Sequence, residues 1–519
     1  MHRKPSLLII FLTVFIDLIG FGIVLPLLPR YADKFGASGF MIGLIIASFS
    51  VMQFFFGPVW GRLSDRIGRR PVLLMSTAGA SLSYVMFALA AAPGLSSQTA
   101  LAILLASRVF AGICGANISV ASAYIADITP KDKRSRGMGF IGMAFGLGFI
   151  FGPVIGALSA SYFGLQGPGW VAAGICAANF ILAFGILTES RKPGAPSAPI
   201  RPKLAQWGHS LKTPRVGFLI VLYFLATFCF ACFESTLPLL LGSSDFHPGD
   251  IKDPAALAQK IVNNNDPVTV RVRSRLSEDA INTLASPDTF TPALRRELVA
   301  SLNTVLDSTN FYNAAAWQTI TLPAEVQKLT QSGHDGDTHR RLNRLLLEAA
   351  YPHELKAQKF YYDERRIGYL FAFCGLMSAM VQGGMIGRLV KRFGEPALIS
   401  SSLIAVGLSL LIIPYAGTLA VLLLGLALVA MSSGVNRAPT MGLISIFTPT
   451  EEQGAVLGVT QSAGTLARIF GPLCATSAYA LHPHSPYVAA AALAVMAGLV
   501  AVKKLPPRSE VPVHEPVTR

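Results

Sequence analysis

The chain has 519 residues, 52% of them hydrophobic and only 14% charged, with a mean hydropathy of +0.52 and a formal net charge of +15. A soluble globular protein needs more charged surface than this, so a soluble enzyme and, despite the basic balance, a soluble nucleic-acid binder are excluded. The six cysteines (Cys114, Cys176, Cys229, Cys232, Cys374 and Cys474) all fall in apolar runs. That leaves neither a disulfide framework nor a metal cluster to expect.

Twelve runs of roughly 20 residues with almost no charge follow in chain order: 6–28, 40–60, 71–92, 99–122, 137–160, 169–188, 216–241, 367–387, 396–415, 417–437, 454–478 and 486–503. Each is long enough to cross a hydrocarbon core about 30 Å thick as a helix. Membrane helices tolerate the glycines and prolines inside them. The first run follows His2, Arg3 and Lys4, but it is too long for a signal peptide, contains Asp17 and ends at no small-residue cleavage site; it is expected to be a retained helix. Cys229 and Cys232 form a C-x-x-C spacing, read either as a redox pair or as two small residues one turn apart.

Lys and Arg crowd alternate connections: 2–4, 62–70, 131–136, 191–215, 388–392 and the tail from Lys503. The intervening AAPGLSSQ and SYFGLQGPG have almost none. This is the positive-inside pattern, and it places both termini and the central loop in the cytoplasm.

An internal repeat organises the runs. ITPKDKRSRGMGFIGMAFGLGFIFGP (128–153) and FTPTEEQGAVLGVTQSAGTLARIFGP (447–472) share their T-P to F-G-P spacing, and CGAN at 114–117 matches SGVN at 433–436 at the same offset of 319. GRL at 61–63 matches GRL at 387–389 at an offset of 326, whereas IVLPLLP (23–29) and STLPLLL (235–241) lie only 212 apart. The difference of 114 residues is an insertion between the seventh and eighth helices. The expected parts are a six-helix half at 1–190, a cytoplasmic linker at 191–215, a second half at 216–242 plus 367–503, the insertion at 243–366 and a cytoplasmic tail at 504–519.

The insertion holds 16 of the 28 acidic residues and 15 basic ones. Asp253-Pro254, Ser277-Glu278 and Thr291-Pro292 are helix-start signals, and LRRELVASLNTVL and THRRLNRLLLEAA have helical apolar spacing. A small helical cap on the non-cytoplasmic side is expected. His334, His339 and His353 lack metal-ligand spacing on one helix face, so a structural or protective role is favoured.

GRLSDRIGRRPVLL at 61–74 packs Arg62, Asp65, Arg66, Arg69 and Arg70 into one connection. Gly61, Leu63, Asp65, Arg66, Gly68, Arg69 and Arg70 fit the pattern G-x-L-x-D-R-x-G-R-[RK]. With the two parallel repeats, this resembles the major facilitator superfamily, whose fold is all-α: 12 transmembrane helices in two six-helix halves that alternate access to a midplane site. GLGFIFGPVIGA, with Gly148, Gly152, Pro153 and Gly156, resembles the fifth-helix motif of antiporters. FIDLIGFGIVLPLLP and RRPVLLMSTAGASLSY look most like the bacterial tetracycline-efflux branch.

The resemblance implies that the 61–70 connection is a cytoplasmic gate. Gly61 and Gly68 allow a tight turn and close helix approach. Asp65 can pair with the loop arginines or sit at the N-terminus of a helix from the other half. Arg69 and Arg70 can pair in turn and hold the loop at the anionic inner leaflet; Arg66 serves the gate or only topology. The second copy, GRLVKRFGEP, has Lys391 in place of Asp65, so the first is the expected working latch.

Asp17 and Glu234 are the two acids that fall within apolar runs, in equivalent helices of the two halves. A mid-membrane charge costs about 2.5–3.5 kcal/mol even on the lenient scale and usually serves function. Either or both are expected to carry a coupling proton; the alternative is a carboxylate locked to an arginine for packing. Arg108 resembles the fourth-helix arginine of antiporters, implied to help proton transfer, and Arg468 is a natural partner for Glu234 or for an anionic substrate group. Arg437 ends the tenth run. Gln53, Asn117, Gln382 and Asn436 are candidate substrate-cavity hydrogen-bonders or helix–helix contacts. The strip Gly148, Gly152, Gly156 allows close packing, and Pro153 bends the helix.

Departures from the tetracycline branch are Ser83 where it carries Asp, Ser378 where it carries His one turn before Gln382, and no acid in ISSSLIAVGLSLL. They argue against a tetracycline–metal substrate. The expectation is a non-enzymatic secondary transporter exporting small amphipathic compounds in exchange for protons, with no cofactor beyond the proton gradient. Its partners are the small-molecule substrate and membrane lipid, not nucleic acid; it is a monomer, multi-pass, in a bacterial inner membrane. Uptake or lipid movement, and a membrane sensor using the insertion, are the alternatives.

Overall fold

The computed structural model describes residues 6–115, 117–129, 134–190, 203–242, 246, 250–285, 292–306, 336–355, 362, 364–448 and 452–507. They form two compact units, Met1–Leu241 with Tyr362–Arg519, and Gly242–Tyr361.

The first unit opens with α1 (Leu7–Val24), capped by Ser6, whose hydroxyl accepts from the Leu8 N–H at 3.3 Å. The chain turns at Leu25–Leu27 and continues as α2 (Leu28–Lys34). α3 (Gly39–Ile67), α4 (Arg69–Ala90), α5 (Ser97–Cys114), α6 (Asn117–Ile128), α7 (Arg134–Phe163) and α8 (Gly167–Ile186) complete the first half. The run expected as one helix over 99–122 is interrupted after Cys114, where the Gly115 N–H turns back to the Gly112 carbonyl. The linker carries an unforeseen helix, α9 (Lys203–Lys212), which ends just before α10 (Pro214–Gly242). Trp207 of α9 packs on the second half's core around Leu219, Leu443 and Val459.

The second half runs from α10 across the intervening unit to α16 (Glu364–Met380), a π-helical turn at Val381–Met385, α17 (Ile386–Phe393), α18 (Glu395–Ile412), α19 (Leu419–Ile446), α20 (Gln453–Leu481) and α21 (Ser485–Lys504). Such π turns recur at functional sites, and this one holds Gln382. Eleven helical stretches among the described residues are long and apolar enough to cross a membrane. α20 is the twelfth crossing: 29 residues, more polar, laid along α3.

The two halves meet through the second helix of each and the fifth of the other. Gly43 of α3 sits on α20, where a Cβ would stand 2.8 Å from the Pro472 carbonyl oxygen and from the Leu473 Cα; Gly375 of α16 sits on α7, 2.8 Å from the Phe149 carbonyl oxygen. These contacts lie at the helix ends remote from the two GRL motifs. At the motif end the same helices stand clear. A Cβ added at Gly57, Gly61, Gly383, Gly384, Gly387 or Gly458 would meet nothing within 4 Å, and α17 buries no residue.

The second unit contains α11 (Pro254–Asn263), α12 (Pro267–Arg273), α13 (Glu278–Ala285), α14 (Pro292–Leu306) and α15 (Gly336–Ala350) around a core that includes Leu257, Ile261, Leu298, Leu302 and Leu346. Asp253 and Asp266 cap α11 and α12, each with proline at the first helical position. Burial of the Asp266 carboxyl opposes ionisation, but donors from the Thr269 side chain and the Val268 and Thr269 backbone outweigh it and hold the group below the usual carboxylate range. An antiparallel bridge between Ile251 and Leu355 draws the ends of the unit together. Arg344, buried, lies between Glu348 (2.9 Å) and Asp250 (3.1 Å) and over the Phe246 ring. Burial pushes the Tyr351 hydroxyl up to about 12. His353 is exposed, while His334 and the His339 side chain lie outside the described residues.

Candidate functional site

The GRLSDRIGRR stretch is not a loop. α3 carries it to Ile67, and only Gly68 breaks the helix, at φ 101°. That conformation favours glycine, and a Cβ there would also strike the Glu189 carboxylate. Gly61, expected to serve the turn, is a helical residue facing open space.

Arg69, only 8% exposed, is the centre of the clasp. Its guanidinium bonds Asp65 one turn back at 2.8 Å, the Ser64 hydroxyl at 2.6 Å and Asp127 at the end of α6 at 3.2 Å. The Glu189 carboxylate accepts from the Arg69 and Arg70 backbone N–H groups at 2.9 and 3.0 Å. It therefore sits at the N-terminus of α4, where the helix dipole favours an anion. Arg70 donates to the Leu187 and Phe184 carbonyls, both at 2.7 Å. Arg66 is exposed. The motif itself names neither Asp127 nor Glu189. Their signal was position: each closes a helix at the same membrane face as the motif.

The second copy folds alike without the latch. Gly394 stands 326 residues after Gly68 and turns at φ 80°, and Lys391 occupies the place of Asp65.

Inside the membrane part, α1 brings Asp17 and α5 brings Arg108 near Tyr84 of α4, with Cys176 of α8 beside them. Arg108 is 3% exposed, and its Nε and Nη2 have no hydrogen-bond partner. Its guanidinium carbon lies 5.6 Å from the ring centroids of both Tyr84 and Phe87. Leaving a buried donor unsatisfied costs about 1–3 kcal/mol, more for a charged group. In the second half, Glu234 of α10 faces Arg468 of α20, and Arg468 in turn lies within coulombic reach of Arg437 and Tyr223. All three of Asp17, Glu234 and Arg468 are half-buried, and Arg437 is exposed.

The four polar candidates separate. Gln53 donates to the Gly115 carbonyl at 3.0 Å, tying α3 to the break after α5. Asn436, 2% exposed, donates to the Ser402 hydroxyl at 2.9 Å between α18 and α19. It is therefore a helix–helix contact and not a cavity group. Gln382 is exposed and donates to Ser378 at 2.9 Å. The side chain of Asn117 lies outside the described residues. Cys229 and Cys232 each point to a different helix, at the Ala490 and Gly471 carbonyls, so the spacing does not form a pair. Among the described residues histidine occurs in two helices, His209 in the linker helix α9, where it bonds Glu452 at 3.2 Å, and His339 in α15.

The strip on α7 packs on α1. A Cβ on Gly152 would stand 2.6 Å from the Gly22 Cα, and one on Gly156 2.6 Å from the Ile23 carbonyl oxygen; Gly148 meets Leu18 at 2.9 Å. Pro153 lies inside α7, and its carbonyl faces Gly368 of α16 at 2.6 Å from where a Cβ would be. Among the described residues no three His, Cys, Asp or Glu side chains come together as a metal site.

Comparison with known proteins agrees with this architecture. The Major Facilitator Superfamily pattern matches residues 10–258 and 339–518, leaving the middle of the second unit unmatched. The class C tetracycline resistance protein of Escherichia coli is 38% identical over 207 residues, 39% of this chain and 49% of its own length. The class E protein is 34% identical over 240 residues, 45% of this chain and 56% of its own, so the chain matches about half the length of these relatives. Human major facilitator superfamily domain-containing protein 10 is 26% identical over 513 residues, covering 92% of this chain and 89% of its own. The crystal structure of that human organic anion transporter, MFSD10 (TETRAN), superposes with a TM-score of 0.55 at 22% identity, over 96% of this chain and all of the other. The nucleoside transporter NupG gives 0.60 at 10% identity, again over 96% and 100%, and shares the fold alone. Two six-helix halves joined through second and fifth helices, the clasp at Gly68 and the match over both halves lead to one assignment: the chain belongs to the Major Facilitator Superfamily.

Proposed function

We propose that the protein is a proton-coupled secondary transporter of small amphipathic compounds that works by alternating access. The observation that carries this reading is the charge set inside the membrane part: Asp17 and Glu234 on the first helix of each half, with Arg108 and Arg468 opposite. Charges at this depth persist where they bind or move something. The clasp and the open motif end supply the gating: helices joined at the far end and apart at the motif end describe the cytoplasm-facing state, with both termini and α9 on that side. When the motif end closes, Asp65 exchanges Arg69 for a partner on the other half.

Likeness to the tetracycline resistance proteins supports export in exchange for protons. Co-transport of substrate and proton is the second reading, favoured by the excess of arginine over acid inside the membrane part. The same reading has the protein act as a monomer in a bacterial inner membrane, with the inserted segment on the non-cytoplasmic side by the alternation of charged loops.

The test is proton flux in proteoliposomes under an imposed pH gradient, with cationic, anionic and neutral amphiphiles added singly. Compound-triggered proton movement is expected, reduced to background in Asp17→Asn or Glu234→Gln. Undiminished coupling in both variants would remove these acids from the mechanism.

A further inference from the structure

We infer that Arg30 latches the outer side of the protein shut by holding the root of the inserted segment, where Leu241 meets Tyr362, against the first half. This rests on the alternating-access reading above. It adds the bond that keeps the outer side closed and the tie between that bond and the insertion.

The contact joins the two halves at the end remote from the GRL motifs. Arg30 lies on α2 of the first half; Leu241 is near the end of α10 and Tyr362 just precedes α16, both of the second. The Arg30 guanidinium donates to the Tyr362 carbonyl at 3.2 Å, and the Tyr362 N–H donates to the Leu241 carbonyl at 2.7 Å. Arg30 is only 4% exposed. A hydrogen bond from a charged donor, shielded from water, is among the stronger ones a protein makes. Apolar packing supports it: Leu27, Leu28 and Tyr31 share one core cluster with Leu239 of α10 and Tyr479 of α20. Tyr31 is fixed in turn to its own half, its hydroxyl donating to the Leu165 carbonyl at 2.8 Å and its ring stacked on Phe87 at 5.3 Å. α2 is therefore a firmly seated part of the first half that grips the second.

The clasp around Arg69 draws its partners Asp65, Ser64 and Asp127 from the first half, whereas Arg30 reaches across 332 residues to the second. The Arg30 bond exists only while the outer ends are together. It therefore favours the cytoplasm-facing state alone, and outward opening must break it. Its acceptor is a backbone carbonyl whose place is set by the bond between Tyr362 and Leu241, that is, by the two ends of the inserted segment. Holding those ends together keeps the acceptor in reach of Arg30; spreading them withdraws it. The insertion thereby acts on opening through its root.

Spin labels test this in the full-length protein in lipid nanodiscs. They are placed at Leu95→Cys and Tyr415→Cys, exposed positions in outer connections of the first and second halves, with the exposed native thiol removed by Cys474→Ser. Pulsed electron–electron resonance reads the ratio of long (outer-open) to short distances between them. Arg30→Met keeps the bulk and removes the donors. It is expected to raise that ratio about tenfold or more, the scale of one charge-assisted hydrogen bond; Arg30→Lys raises it less. Should Arg30→Met fail to fold by gel filtration, Tyr362→Pro removes the N–H that holds the acceptor while leaving Arg30 in place, and it too raises the ratio. Tyr362→Ala keeps that N–H and stays near the parent. An unchanged ratio in Arg30→Met overturns the latch, and an unchanged ratio in Tyr362→Pro overturns its tie to the insertion. An unchanged ratio beside intact compound-triggered proton flux sinks the inference and leaves the transporter reading standing. A raised ratio with no proton flux for any compound upholds the latch and brings down proton coupling instead.

Discussion

Gly68 and Gly61 carry the same letter in one motif and opposite physical duties. Gly68 sits at φ 101° against Glu189, and Gly61 is an open helical position. Gly68→Ala is expected to destabilise by about 1–3 kcal/mol, the cost of a strained backbone conformation. Gly61→Ala is expected to leave thermal unfolding of the detergent-purified protein unchanged; an equal loss in both would contradict the geometry. Glu189 and Asp127 show what a motif omits. Arg69 was legible as a pairing residue, but its partners come from the ends of α6 and α8, 58 and 120 residues away. Sequence spacing cannot report which distant acid arrives.

At the scale of elements, apolar length located the crossings, because a helix must match the bilayer and the chain has few other ways to satisfy its backbone there. It was blind to interruptions that do not change hydropathy, such as those after Val24 and Cys114 and the π turn at Gln382. In the second unit, Asp-Pro starts are physically strong signals: Asp253-Pro254 was read, and Asp266-Pro267 has the same form and begins α12. Asp266→Ala should cost about 1 kcal/mol of local stability, the usual worth of such a cap. Because the folded-state acidity of Asp266 is shifted below its ordinary value, its charge stabilises fully above the ordinary carboxylate range. That contribution is lost as pH falls through the lowered folded value. Hydrogen exchange of the Val268–Arg273 amides in the full chain checks both statements. Exchange should quicken in Asp266→Ala, and Asp266→Asn should retain the cap while losing the acid dependence.

For the whole molecule, the ends of the inserted unit decide a deletion experiment. The Tyr362 N–H donates to the Leu241 carbonyl at 2.7 Å, and Arg30 donates to the Tyr362 carbonyl at 3.2 Å. The membrane part thus holds the two sides of the insertion point within one hydrogen bond. Replacing 243–361 by a short Gly-Ser turn should leave a folded, proton-coupled protein if that unit is accessory; a folded but inactive protein would assign it to transport. The sequence by itself determined the number of crossings, the two-fold repeat, the presence of an insertion and the intramembrane charges, because each is a local property of composition or spacing. Only the tertiary structure decided which helices join the halves, which acids close the clasp, that Asn436 serves packing, and that Arg108 is held by rings with donors left over. Those depend on residues far apart in the chain being brought to one place, and no periodicity along the chain records that meeting.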